Sequence, residues 1–149
     1  MSMSNAAETD LLKLLFTNTN WANVGDATGL RGSSTAGSFY IALHTADPGE
    51  AGDQTTSEIS YTTYARVAVA RSAGGWTVSG ATSVNAATIT FGACTAGSGT
   101  ATYFSIGLAS SGASEIVVSG QITSPGGGLA ISAGITPSFA AGAMTITAD

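Results

Sequence analysis

His44 is the one histidine of the chain and Cys94 the one cysteine, so imidazole or thiolate chemistry would have to run through these two residues. A nucleophilic hydrolase needs a nucleophile beside a base that a third group orients. His44 stands at the end of an expected strand and opens onto the Asp47-Pro48-Gly49 turn, and no supporting motif surrounds Cys94. The expectation is therefore a strand-end histidine bonded to loop backbone and a cysteine acting as a small buried hydrophobe. His44, Asp47, Glu50 and Asp53 recur at every third position, and oxygen-rich loops bind Ca²⁺. Pro48 and Gly49 forbid the regular helix that would align these four side chains, and the run lacks the spacing and closing glutamate of an EF-hand. A solvated acidic loop is expected. The nine acids fall mostly in the N-terminal segment and in turns, with none flanking an aromatic cluster, so a glycosidase carboxylate pair has no basis. Trp21, Trp76, Tyr40, Tyr61, Tyr64 and Tyr103 could line a sugar platform, whereas aromatics in strands more often fill a core, and Trp76 beside Gly74-Gly75 suits a core plug. No glycine-rich loop followed by lysine is present to cradle a phosphate. The expectation is no enzyme, no cofactor and no metal site.

The elements that must position these residues follow from periodicity. Asn5 and Glu8 have capping-box spacing, and Ala7, Leu11, Leu14 and Leu15 then recur at helical intervals, predicting a short N-terminal helix that stops near Asn18. Gly25 to Gly37 holds four glycines and little periodicity, which predicts a loop. From Phe39 the period becomes two: Phe39, Ile41 and Leu43 alternate with Tyr40, Ala42 and His44 as in a half-buried strand. Further strands are expected over Tyr61–Tyr64 leading into Arg66–Arg71, then at Trp76–Val78, Ile89–Phe91, Thr102–Leu108, Glu115–Ser119, Gln121–Thr123, Leu129–Ile131 and Met144–Thr147. Short strands separated by Gly, Ser and Pro turns predict a mainly β fold, an antiparallel β-sandwich or jelly roll with a short N-terminal helix. The expected organisation is one compact domain, with residues 1–37 forming the helix and an attachment loop and residues 38–149 the β-sandwich.

Composition narrows the function classes. Charged residues make up 9% of the chain and apolar residues 44%, which supplies a core but leaves few charges to hold copies apart. A surface partly covered by other subunits is expected. The net charge is −5 and the cations are only Lys13, Arg31, Arg66 and Arg71, too few and scattered for a phosphate-binding stripe, so no direct nucleic-acid binding is expected. A single cysteine allows no intrachain disulfide and suits folding in a reducing cytoplasm. No stretch reaches the roughly 20 apolar residues of a membrane helix, and Met1–Asp10 lacks the basic start of a signal peptide.

Several blocks carry a family resemblance: Leu43-His44-Thr45-Ala46-Asp47-Pro48-Gly49-Glu50, Tyr64-Ala65-Arg66-Val67-Ala68-Val69, Ile89-Thr90-Phe91, Phe104-Ser105-Ile106-Gly107, Gly120 to Pro125, and the run from Pro137 to Thr147. Together they cover most of the chain after residue 38, and they resemble small bacteriophage virion proteins of the tail-fibre-like or capsid-decoration type. The resemblance implies a place on the outer surface of a phage particle and carries no catalytic residues. It leads to the expectation of a capsid cement protein bound to the major capsid protein and to copies of itself, with a trimer as the natural symmetric guess. The alternative is a tail-fibre or tail-tip component that binds a receptor. Under the first reading the interface candidates are Leu11, Leu15, Trp21, Arg31 and Trp76, with the helix and loop as attachment arm; the helix could equally cap one end of the sandwich.

Overall fold

A computed structural model describes residues 3–22, 24–25 and 29–148. Among the described residues, one helix, α1 (Asn5–Phe16), is followed by eleven short strands: β1 (Ser38–His44), β2 (Val67–Ala70), β3 (Trp76–Ser79), β4 (Thr82–Asn85), β5 (Ile89–Thr90), β6 (Ser98–Ala101), β7 (Tyr103–Gly107), β8 (Ile116–Gln121), β9 (Leu129–Ser132), β10 (Ser138–Phe139) and β11 (Thr145–Thr147). The fold is mainly antiparallel β, as the spacing of turns predicts. The strands form a four-stranded sheet β2-β1-β7-β8, a three-stranded sheet β11-β4-β3, and the two-stranded pairs β5–β10 and β6–β9. The chain divides into two compact units, one of Met1–Ser38, Ala70–Ile89 and Phe139–Asp149, the other of Phe39–Val69 and Thr90–Ser138. The N-terminal segment shares a unit with β3, β4 and β11. Among the described residues, no helix is long and apolar enough to cross a membrane.

In the first unit, α1 is capped one residue earlier than expected. Ser4 is the N-cap, its Oγ accepting from Ala7 N–H at 3.3 Å. The buried face is Glu8, Leu12 and Phe16, rotated from the Ala7, Leu11, Leu14 and Leu15 face that periodicity suggests. Phe16 decides this rotation. It is the largest apolar side chain of the helix, it is fully enclosed, and its ring meets Trp76 edge-on at 4.8 Å. Leu11 and Leu15 are left half-buried at the flanks. The helix ends at Phe16 with Thr17 as C-cap, and Asn18 takes a left-handed conformation (φ 55°), close to the expected stop at Asn18.

The expected loop after the helix has internal order. Asn18 Nδ2 donates to Ser33 O at 2.8 Å and its Oδ1 accepts from Ser33 N–H at 2.7 Å, while Trp21 and Leu30 exchange two backbone hydrogen bonds of 2.8 and 2.9 Å. Gly32 permits this clasp, since a Cβ there would collide with the Asn18 backbone. Strand β4 escapes sequence reasoning because its inward residues are Ser83 and Asn85, which break the apolar alternation. Asn85 earns its buried place by donating to Ala87 O and Ala140 O, both at 2.8 Å, and accepting from Met144 N–H at 2.9 Å.

In the second unit, β1 is an interior strand between β2 and β7. The half-buried alternation expected for Phe39–His44 holds only for its first residues; Ile41, Ala42, Leu43 and His44 are all fully enclosed. Interior position and cover on both faces remove the polar side that alternation anticipates. Tyr61–Tyr64, expected as strand, is a turn closed by Tyr64 N–H on Tyr61 O at 3.0 Å. The i, i+3 spacing lets both rings turn inward, where they meet edge-on at 5.3 Å.

Candidate functional site

A connected group of chemically capable side chains lies within the second unit, where strands β1 and β7 meet the segment 54–66. Antiparallel pairing sets His44 opposite Tyr103 and Ala42 opposite Ser105. His44 Nδ1 lies 2.8 Å from Thr56 O and its Nε2 2.7 Å from Ser105 Oγ. Burial lowers the His44 pKa, partly opposed by the bond to Thr56 and the charge of Glu58. The neutral ring thus donates from Nδ1 to the carbonyl and accepts at Nε2 from the serine hydroxyl. The serine oxygen in turn accepts from Gln54 Nε2 at 3.2 Å, and the same amide donates to Tyr40 O at 2.9 Å.

Arg66 completes the network. Its Nε and Nη2 hold the two oxygens of Glu58 at 2.8 Å each, a bidentate pair. Nη1 donates to Gln54 Oε1 at 3.2 Å and Ala109 O at 3.1 Å, and Nη2 also reaches Gly112 O at 2.9 Å. All five guanidinium N–H groups are engaged. The Glu58 hydrogen bonds raise the Arg66 pKa further. Tyr64 donates to Glu58 Oε1 at 2.9 Å and accepts from Leu43 N–H at 3.0 Å, with its hydroxyl pKa pushed well above the ordinary phenol range by burial.

Chemically, this arrangement holds loops and does not present reactive groups. His44 and Ser105 have the spacing of a base and a nucleophile, a pairing the sequence does not announce because the residues lie 61 positions apart. Both are fully enclosed, the second ring nitrogen faces a backbone carbonyl, and the serine is also bound by Gln54. A substrate carbonyl has no approach to Oγ. What the network does is fix the 54–66 segment and the 109–112 turn against the four-stranded sheet. Gln54 N–H adds a bond to Ser114 O at 3.0 Å.

The other candidates separate. The four residues at every-third spacing do not converge: His44 points into the network, Asp47 Oδ1 caps Gly49 N–H at 2.9 Å, and Asp53 Oδ1 accepts from Thr55 N–H at 2.7 Å. The Thr55 hydrogen bonds hold the Asp53 carboxyl below its usual pKa. Among the described residues no group of three or more His, Cys, Asp or Glu is placed to hold a metal ion. Cys94 is enclosed, its thiol directed at Ala96 O and Gly97 O, while both His44 ring nitrogens are taken by Thr56 and Ser105.

Of the interface candidates, Trp76 is corrected outright: it is 0% exposed and packs on Phe16, so it offers neither a partner surface nor a sugar platform. The core plug reading of that residue holds. Leu11, Leu15 and Trp21 are half-buried and Arg31 is exposed. A surface feature that sequence reasoning misses lies in the second unit, a groove of about 370 Å³ between the Asp47–Glu50 turn and residues 116–119 of β8. No sequence signal marks it, because turn and strand are about 70 residues apart.

The model of the family described as podophage GP4 fiber I protein gp80 matches residues 2–147, and the chain belongs to that family. No curated protein matches it. The resemblance to phage virion proteins thus holds at the level of a fibre-type structural protein of the virion, and the match favours the tail-fibre alternative over the capsid-cement expectation.

Proposed function

From membership of a fibre family, we propose that this chain is a structural component of the fibre apparatus of a podophage-type particle, acting through contacts and not through catalysis. The family match across residues 2–147 carries the reading. The geometry supports it: the imidazole, the guanidinium, its carboxylate partner and the thiol are all engaged inside the fold. The partners are then neighbouring fibre and tail components, in place of the major capsid protein. Labelling this chain on intact particles with a specific antibody and gold tests the placement. Gold at the tail and its fibres, and none on tailless heads, is the expected result. Label over the shell facets, or recovery of the chain with purified tailless heads, would overturn the proposal.

A further inference from the structure

The four-stranded sheet ends in two edge strands, β2 and β8. Isolated edges in natural proteins are guarded by lysine, proline or strong bulges, because a row of unpaired N–H and C=O groups accepts another strand. Here β8 reads Ile-Val-Val-Ser-Gly-Gln and β2 reads Val-Ala-Val-Ala, with no charge and no proline in either. A bulge lies between Ile106 and Gly107 at the start of the β7–β8 ladder, and pairing is regular from Val118 to Gln121. Ile122 N–H donates to Thr102 O at 2.8 Å. Alternation along an antiparallel ladder then turns the backbone groups of Val118 and Gly120 toward β7 and those of Ser119 and Gln121 away from it. Ser119, Gln121, Ala68 and Ala70 have exposed side chains.

The directions of the two edges are complementary. β8 runs antiparallel to β7, and β7 to β1. Arg71 N–H bonds Gly37 O at 3.1 Å, tying the end of β2 to the start of β1, which is the antiparallel sense. A sheet of four alternating strands has edges that run in opposite directions. Simple repetition of the molecule therefore sets β8 of one copy antiparallel to β2 of the next. Two-fold pairing of β8 with itself is disfavoured, since it would gather Asp47 and Glu50 of both copies, which border β8, at one junction of like charge. The β2 strand carries no acid.

We propose that copies of this chain join head to tail, β8 of one against β2 of the next, so that one sheet runs through successive copies. The contact is heterologous, so each added copy presents a fresh edge to the next. This goes beyond placement in a fibre and is independent of where on the particle the chain sits.

Sedimentation velocity of the purified chain over a concentration series tests it, with Ala68→Lys and Ser119→Lys as edge guards at exposed positions. The unaltered chain forms dimers and longer species whose share grows with concentration. Each variant alone stays monomeric. An equimolar mixture of the two forms a 1:1 dimer and nothing longer, because one variant keeps a working β8 edge and the other a working β2 edge. A wild-type chain monomeric throughout, dimers of Ala68→Lys alone, or a closed oligomer indifferent to both variants would each overturn the proposal. Should a lysine variant misfold by circular dichroism, hydrogen exchange on the unaltered chain decides: amides of residues 67–70 and of Ser119 and Gln121 gain protection at high concentration, and unchanged protection refutes the contact.

Discussion

Replacing Arg66 by methionine keeps most of the side-chain volume and removes five N–H donors at once. The side chain of Arg66 is 2% exposed and that of its partner Glu58 18%, so the loss leaves a carboxylate largely shielded from water. Removing one member of a buried ion pair costs about 3–5 kcal/mol. Two features place the expectation near the lower end. Glu58 keeps the Tyr64 hydroxyl and some solvent, and Gly112 O, on an exposed turn, can exchange the lost donor for water. Gln54 Oε1 has no such recourse, since Gln54 is fully enclosed. A loss of about 3 kcal/mol is a large part of the roughly 5–15 kcal/mol of a typical domain, and at this chain length lowers the melting temperature by about 6–12 °C. Urea titration at neutral pH measures it, with Glu58→Gln and the double variant completing a thermodynamic cycle. In the Glu58→Gln background the arginine replacement should cost less by about 1.5 kcal/mol or more, the worth of charge-assisted hydrogen bonds. A loss below about 1 kcal/mol, with no coupling, is the behaviour of an exposed ion pair and would refute the view that this network fastens the loops to the sheet.

Acid should weaken the fold through His44. Its folded pKa lies below the ordinary 6.5 because of burial, so the unfolded chain binds the proton first as pH falls. Stability is then full above about pH 6.5 and declines below it, by at most about 1.4 kcal/mol per pH unit from this one group; urea midpoints at pH 7.5 and 5.5 should differ more for the parent than for His44→Asn. Phe16→Ala empties the space against Trp76 and should cost about 3–5 kcal/mol, seen as a lower denaturation midpoint and a changed tryptophan emission. Gly107→Ala sets a methyl group onto the Gln54 amide and should cost about 1–3 kcal/mol by overpacking; in a Gln54→Ala background the same change should be nearly neutral.

Much of the architecture is legible from local pattern. Strands β1, β3, β7, β9 and β11 declare themselves by apolar alternation between Gly, Pro and Ser breaks, and Asp47-Pro48-Gly49 turns as its residue types dictate, with Gly49 at φ 68°. Strands β4 and β6 do not, since Thr-Ser-Val-Asn and Ser-Gly-Thr-Ala offer no apolar stripe, and they exist because neighbouring strands supply the ladder. The polar network is invisible for a related reason. His44, Gln54, Glu58, Arg66 and Ser105 look like ordinary surface residues until strand pairing and the 54–66 segment bring them together.

Composition and local pattern are enough to establish the mainly β class, the scarcity of charge, a single histidine and a single cysteine. The sequence also carries the likeness to phage virion proteins. These follow from composition and short-range periodicity, which every segment carries with it. Long-range packing settles which face of the helix is buried and that the polar groups around Arg66 have partners. It also decided that β2 and β8 are the edges of one sheet. Each of those depends on which distant segment arrives as neighbour, and hydrogen-bond pairing and volume filling choose that neighbour only when the whole chain has folded.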